Sequence, residues 1–250
     1  MRIDVLTLFP EILAGPLQAS LLGKAVQDRV LDVALTNIRD FATDRHRTVD
    51  DAPFGGGPGM VMKCEPLFAA VESLRGKNSL DRVVLLSPRG RRLDQRLVRE
   101  LASAPDLVLI CARYEGVDER VSQGLVTDEI SIGDYVLSGG EAPALVVIEA
   151  ISRMLPGVVG DWESVRTDSF YDGILGAPQY TRPPLFRGMA APAVLREGHH
   201  AAIARWRRKE ALRVTRRRRP DLLEHCNESD RKLLAELIRE ERAPEKENES

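Results

Sequence analysis

The feature that most constrains the fold is a repeated alternation of short apolar segments with segments of helical periodicity. The apolar segments, rich in Val, Ile and Leu, are residues 3–8, 31–38, 82–86 and 107–111. The segments whose apolar side chains are spaced as in amphipathic helices are residues 20–30, 65–74 and 93–104. Strands that alternate with helices predict an α/β layer fold built on a parallel sheet.

The character of the sequence changes near residue 155. A further apolar segment at 129–132 leads through a glycine-rich loop into residues 144–155, which are apolar nearly all round. Such a segment predicts a buried or interface helix. Residues 156–184 carry Pro, Gly, Asp and Ser with little periodicity, which is typical of an interdomain linker.

We therefore predict four parts in the chain. They are an α/β domain over 1–155, the linker over 156–184, a small helical domain over 185–242 and a polar, disordered tail over 243–250.

Charge and cysteine content exclude several classes of protein. Lys and Arg number 36 against 38 Asp and Glu, so indiscriminate binding of polyanions by the whole molecule is disfavoured. Cys64, Cys111 and Cys226 lie far apart without C-x-x-C spacing, which predicts neither disulfides nor a zinc site and fits a cytoplasmic setting. We expect no targeting segment and no membrane span, because no apolar run approaches the ~20 residues that a bilayer requires.

Three loops are expected at the ends of predicted strands. The first loop is residues 87–90, the second loop is 112–116 and the third loop is 132–140. Open α/β sheets bind ligands at this edge, and each loop combines Gly with polar or aromatic residues. Together they predict a pocket for a small ligand with a flat ring and charged ends, although an ordinary tight turn explains any one of them alone.

A separate glycine-rich segment, Phe-Gly-Gly-Gly-Pro-Gly-Met at 54–60, carries a weaker signal. It could approach an anion or a nucleic-acid backbone, or be a plain turn. It lacks both the G-x-G-x-x-G order and the Gly-Lys-Ser/Thr of a phosphate loop, which disfavours a nucleotide-dependent oxidoreductase and an NTPase.

Residues 205–219 are strongly basic, with Glu210 as the only acidic residue among them and Trp206 interleaved. Helical spacing would place Arg205, Arg208 and Arg216 along one side, a stripe able to follow a phosphate backbone. A solvated helix face remains the alternative, although such faces more usually alternate the sign of their charges.

Several segments in order along the chain resemble the bacterial tRNA (guanine-N1)-methyltransferase family of the SPOUT superfamily. The most specific is Ser-Ile-Gly-Asp-Tyr-Val-Leu-Ser-Gly-Gly-Glu at 131–141. The others are residues 44–51, 55–59, 87–91, 113–120, 168–170 and 180–183.

This resemblance implies a SPOUT-type parallel sheet with a deep trefoil knot in the C-terminal half of the α/β domain, a topology that general folding rules would not propose. It also implies S-adenosylmethionine as methyl donor, held by the three loops largely through backbone groups. Ala112 stands where Gly is common in the family, which affects how closely a ligand can approach. The implied cofactor contacts are Leu86, Ser87, Pro88, Ala112, Tyr114, Glu115, Gly116, Ile132, Gly133, Asp134, Tyr135, Val136, Leu137, Gly139 and Gly140.

The resemblance also assigns catalytic roles. N1 of guanine carries a proton at neutral pH, so its methylation requires a general base, and Asp168 matches the family's proposed base. Arg153 would offset the negative charge that develops towards O6, and Glu115 would orient the cofactor. By position alone, Arg153 could equally be a surface charge near a helix end and Asp168 a helix cap. No metal is needed, and the resemblance leaves a Mg²⁺ requirement open.

The implied partners are a tRNA anticodon stem-loop and a second copy of the chain, with the active site at the subunit interface. The target would be the guanosine immediately 3′ of the anticodon. A methyltransferase acting on ribosomal RNA and a nonenzymatic RNA-binding protein of the same fold are the alternatives; loss of Asp168 or of the loop at Gly133 would mark the second, and both are present. The implied tRNA-binding residues are Arg205, Arg208, Arg216, Arg217, Arg218 and Arg219.

Overall fold

The computed structural model describes residues 1–77 and 79–242, so the tail predicted at 243–250 lies outside the described residues. The chain divides into two compact units, Met1–Gly160 and Asp161–Ser250. The strands of the first unit are β1 (Arg2–Thr7), β2 (Asp32–Asn37), β3 (Asp50–Asp51), β4 (Val61–Met62), β5 (Val83–Arg92), β6 (Asp106–Cys111) and β7 (Asp128–Ser131). Its helices are α1 (Glu11–Ala14), α2 (Ser20–Gln27), α3 (Cys64–Glu72), α4 (Gln95–Ala102), α5 (Glu119–Gly124) and α6 (Glu141–Ser152).

Five strands of the first unit form one sheet in the order β2-β1-β6-β5-β7, and every neighbouring pair is parallel. This confirms the predicted α/β class with a central parallel sheet. Strands β3 and β4 form a separate antiparallel pair.

The sheet is covered on both faces, which explains why residues 107–111 of β6 are apolar at every position. Successive strand residues point to opposite faces, so Leu107 and Leu109 of β6 pack into one core and Val108 and Ile110 into another. The first core includes Leu97 of α4, and helices α1, α2 and α6 also contribute to it. The second core is completed by helices α3 and α5.

Strand β5 contains an irregularity that shapes the edge of the sheet. Leu86 and Arg91 of β5 both pair with Ile130 of β7, with the first loop between them. The chain also returns to β7 at Leu93, whose amide donates to the carbonyl of Ser131 at 2.8 Å. Strand β7 is therefore paired along two separate stretches of the same neighbouring segment.

The second unit contains α7 (Trp162–Arg166), β8 (Leu185–Phe186), β9 (Met189–Ala190), α8 (His200–Arg218) and α9 (Glu228–Arg242). Its described core is formed by Ile174, Ala211, Leu212 and Cys226. Helix α7 falls within the segment predicted as a linker, and residues 156–160 belong to the first unit.

The β8–β9 hairpin is a feature that the sequence pattern does not predict in a segment expected to be helical. Its turn places Arg187 at φ 49° and Gly188 at φ 79°, the left-handed pair that a two-residue hairpin turn requires. Each strand has only two residues, too few for an alternating pattern to be recognised.

Gly90→Ala should destabilise the first unit, because a Cβ at this position would lie well inside contact distance of the main-chain nitrogen of Ile130. Neither backbone can yield without breaking the pairing of β7, so we expect the free energy of unfolding to fall by about 2 kcal/mol or more in urea titrations. Gly15→Ala is the matched control, since a Cβ there meets no atom within 4 Å and should change stability by less than about 0.5 kcal/mol. Equal stabilities for the two variants would contradict the described close approach at Gly90.

Candidate active site

The three loops meet at one cavity in the first unit, with a volume of about 310 Å³. The first loop belongs to the irregular part of β5, and the second and third loops follow β6 and β7. Because β5, β6 and β7 are parallel neighbours, their carboxyl ends share one edge of the sheet. The topology of the sheet therefore brings the three loops together, as the sequence predicts.

Most residues implied as cofactor contacts line this cavity, whereas Asp134 is not among its described lining residues. Residues of the same motifs that were not among the implied contacts also line the cavity, including Arg89, Arg113, Glu119 and Ser138. The implied contacts that line the cavity are Leu86, Ser87, Pro88, Ala112, Tyr114, Glu115, Gly116, Ile132, Gly133, Tyr135, Val136, Leu137, Gly139 and Gly140.

The second loop is held in a strained conformation by backbone contacts. Tyr114 adopts a φ of 60°, and Gly116 a φ of 120° that favours glycine. The amide of Glu115 donates to the carbonyl of Met60 at 3.0 Å, and the amide of Met62 donates to the carbonyl of Gly116 at 2.9 Å. The segment that contains the glycines at 55–59 thus supports the second loop, which gives that sequence motif a structural role.

The second and third loops approach each other so closely that side chains are excluded between them. The amide of Gly140 donates to the carbonyl of Ala112 at 2.8 Å, and a Cβ at Gly140 would lie 2.5 Å from the Cα of Cys111. A Cβ at Gly139 would overlap the guanidinium of Arg113. The two consecutive glycines are therefore required by packing.

Apolar and aromatic side chains remain exposed around the cavity. Tyr135 is 54% exposed and Val136 is 84% exposed, and both lie in the third loop. Tyr114 of the second loop and Leu137 are also exposed. Exposed apolar side chains that line one cavity are typical of a surface that a ligand covers.

A buried polar network lies behind the cavity. The guanidinium of Arg113 forms an ion pair with the Glu141 carboxylate at 2.8 Å, and the Thr7 hydroxyl donates to the same carboxylate at 2.7 Å. Burial raises the pKa of the adjacent Cys111 thiol, and the negative charge of Glu141 raises it further. That thiol is accordingly held neutral.

The two candidate catalytic residues lie in different units. Arg153 follows α6 in the first unit as its C-terminal cap residue. Asp168 follows α7 in the second unit, where its amide donates to the carbonyl of Val165 at 3.3 Å and its carbonyl accepts from the amide of Tyr171. Asp168 is exposed and Arg153 is partly exposed.

Helix α8 carries the predicted basic stripe, but most of its cations are paired with acidic residues of α9. Arg205 contacts Glu236 at 2.5 Å, and Arg208 contacts Asp230 at 2.6 Å. Arg216 and, at 3.7 Å, Arg217 contact Glu241, and Arg219 contacts the neighbouring Asp221. Arg205 and Lys209 together lower the pKa of Glu236 by hydrogen bonding.

Two cations of α8, Arg207 and Arg218, have neither an ion pair nor a hydrogen bond among the described residues, and both are exposed. They are 218 − 207 = 11 residues apart, which is close to three turns, so they lie on the same side of the helix. Trp206 packs against Tyr180 with a ring separation of 6.2 Å.

Neither a cluster of metal ligands nor a membrane-spanning helix is found among the described residues. Nowhere in the described part of the chain do three or more His, Cys, Asp or Glu side chains form a group that could hold a metal ion. Among the described helices, none is long and apolar enough to cross a membrane.

Comparison with known proteins identifies the family. A family model described as tRNA (Guanine-1)-methyltransferase TrmD matches residues 1–225. A tRNA (guanine-N(1)-)-methyltransferase of Geobacter sulfurreducens is 54% identical over 242 residues, covering 96% of this chain and 99% of the relative. Proteins of the same name are 55% identical in Moorella thermoacetica, over 96% of this chain and 98% of the relative, and 54% identical in Brevibacillus brevis, over 97% and 100%.

The family match spans both the three loops and Asp168, and the relatives align over nearly the whole chain. The chain therefore belongs to the tRNA (guanine-1)-methyltransferase family.

Proposed function

We propose that this protein methylates N1 of the guanosine immediately 3′ of the anticodon in tRNA. The observation that carries this proposal is the family match over residues 1–225, which includes every segment that forms the cavity. A ribosomal RNA substrate and a nonenzymatic role receive no comparable support, because the curated relatives described above are named as tRNA methyltransferases.

We propose S-adenosylmethionine as the methyl donor, and the residues around the cavity fit such a molecule. A volume of about 310 Å³ is at the lower end of small-molecule sites. Leu86, Leu137 and Tyr135 offer apolar and aromatic surface to an adenine ring. Glu115 and Glu129 also line the cavity, and their carboxylates suit a ligand that carries positive sulfonium and ammonium groups.

The bound donor would supply a methyl group that is already activated by a positively charged sulfur. In our proposal the Asp168 carboxylate accepts the N1 proton, N1 bonds to the methyl carbon, and the bond from that carbon to sulfur breaks with its electron pair on sulfur. Arg153 would stabilise the negative charge that moves towards O6 of the guanine. None of these steps uses a metal ion.

We also propose that the chain forms the trefoil knot of its family. The support is the double pairing of β7, in which Ile130 is flanked by Leu86 and by Arg91 of the same strand. The first loop is therefore closed at both ends against one residue of β7, and a closed loop at this strand is a precondition for threading.

A homodimer with the active site at the subunit interface is the assembly that we propose. Ile12 of α1, Leu21 of α2 and Val146 of α6 are large apolar side chains that are 40–45% exposed. Helix α6 contacts both α1 and α2, so these side chains lie on adjoining elements of the first unit. Burial of this surface in a second copy would also let the base and the donor come from different protomers.

Free Cys64, Cys111 and Cys226 suit the cytoplasm as the place of reaction.

For tRNA binding we propose that the side of α8 carrying Arg207 and Arg218 makes the main phosphate contacts of this helix. Guanidinium groups that are exposed and have no partner among the described residues can release counterions from phosphates without first breaking an ion pair there. Arg205, Arg208 and Arg216 must give up an acidic partner of α9 to do the same. We therefore propose that Arg205, Arg208 and Arg216, the stripe expected from helical spacing, stabilise the packing of α8 on α9.

Asp168→Asn should lower the rate of methyl transfer to a tRNA transcript by a factor of about 10²–10⁴, because the amide cannot accept the N1 proton. Binding of S-adenosylmethionine, measured by calorimetry, should stay within about twofold of the unaltered protein, since Asp168 is not among the cavity-lining residues. Glu163→Gln is the matched control, as it removes another exposed carboxylate from the same unit and should leave the rate unchanged. Near-normal turnover of the Asp168 variant would eliminate this residue as the base.

Replacement of Arg207 and Arg218 together by Ala should weaken tRNA binding and reduce the salt dependence of the binding constant by a slope of about 1 per lost phosphate contact. The matched control replaces Arg205 and Arg216, which removes the same charge from the same helix but from the paired side. This control should lower thermal stability and change the salt slope less. A larger reduction of the salt dependence in the control would contradict this proposal and indicate that Arg205 and Arg216 contact the phosphates.

A further inference from the structure

The carboxylate of Glu141 is a charged group buried at the first residue of α6. Glu141 is 1% exposed, and its partners are the Thr7 hydroxyl at 2.7 Å and the Arg113 guanidinium at 2.8 Å. An ionised carboxylate that is removed from water needs such partners, since burial without them costs several kcal/mol. Thr7, Arg113 and Glu141, which we call the polar bridge, therefore act as one unit.

The polar bridge connects segments that are distant in the sequence. Arg113 lies in the second loop, and its Nη1 donates to the carbonyl of Ser138 in the third loop at 3.2 Å. Its guanidinium also stacks on the Phe9 ring, with Cζ 4.5 Å from the ring centroid. Thr7 ends β1, and its Oγ1 accepts from the amide of Phe9 at 2.9 Å. One guanidinium thus links the end of β1, the second loop, the third loop and α6.

The location of the polar bridge distinguishes it from an ordinary structural ion pair. Arg113 lines the cavity, whereas Thr7 and Glu141 lie behind it and are not among its lining residues. A buried ion pair contributes little net stability compared with apolar residues of the same volume, so stability alone is a weak reason for it. It does restrict direction, because one Glu141 oxygen faces Thr7 and the other faces Arg113, whose guanidinium also contacts the Phe9 ring and the Ser138 carbonyl.

We propose that Thr7 and Glu141 are positioning residues that act through Arg113 to set the separation of the second and third loops, so that the cavity is preformed for its ligand. The identity of that ligand as S-adenosylmethionine rests on the proposed function. The mechanical role of the polar bridge does not, because it is argued from contacts within the first unit alone.

The test compares substitutions that keep shape and remove one interaction. Thr7→Val removes the hydroxyl, and Glu141→Gln removes the negative charge while it keeps the size of the side chain. Thr7→Ser restores the hydroxyl and is the conservative rescue. Asp4→Asn is the matched control, because Asp4 is a carboxylate that is also 1% exposed, lies on the same strand and pairs with Arg2 at 2.7 Å without lining the cavity.

Two measurements are made on each variant of the full chain. Calorimetric titration with S-adenosylmethionine should show a Kd raised by about tenfold or more in Thr7→Val and Glu141→Gln, as expected for loss of a hydrogen bond to a charged group. Hydrogen exchange without ligand should be faster in residues 112–116 and 132–140 of the same two variants. Thr7→Ser and Asp4→Asn should show neither change, even where Asp4→Asn melts at a lower temperature.

The two measurements test the positioning role and the identity of the ligand separately. Exchange in the two loops that is no faster in Thr7→Val and Glu141→Gln than in Asp4→Asn would overturn the positioning role and leave the polar bridge as a structural ion pair. Failure of the unaltered protein to bind S-adenosylmethionine would instead contradict the proposed donor, and the exchange comparison would still decide the role of the polar bridge.

Discussion

Close backbone packing at the carboxyl edge of the parallel sheet is the constraint on which the rest of the first unit depends. Ile130 of β7 pairs with both Leu86 and Arg91 of β5, and Gly90 has no room for a side chain between them. Gly140 meets the backbone of Cys111 equally closely. Because main chain rests directly on main chain at these two points, no side chain fits between the neighbouring segments.

Charge is used differently in the two units. In the first unit a few charged groups are buried and oriented, as in the pair of Arg113 and Glu141 behind the cavity. In the second unit many exposed charges pair between α8 and α9, and the surface pairs each contribute little individually. The consequence for RNA binding is that the number of basic residues in α8 overstates the positive charge that it can offer to a phosphate backbone.

Much of the fold can be predicted from the sequence, because the four apolar segments at 3–8, 31–38, 82–86 and 107–111 each overlap a strand of the parallel sheet. The segment 107–111 is apolar at every position, and the structure shows the reason, since β6 is covered on both faces. The three loops can be predicted as a group for a similar reason, as parallel strands end on one edge. Such patterns do not predict contacts between residues that are distant in the sequence. Thr7 and Glu141 are 134 positions apart, and Arg205 meets Glu236 across 31, so neither pairing leaves a periodic signal. The hairpin at Leu185–Phe186 and Met189–Ala190 is missed because its strands are too short.

Methylation of one guanine position in tRNA is the activity that we propose, and labelled methyl transfer measures it. Labelled methyl transfer from S-adenosylmethionine would be followed with two tRNA transcripts that differ only in carrying guanosine or adenosine immediately 3′ of the anticodon. We expect label in the guanosine transcript alone, at N1 of that base. Equal labelling of both transcripts, or tRNA binding without any labelling, would contradict it.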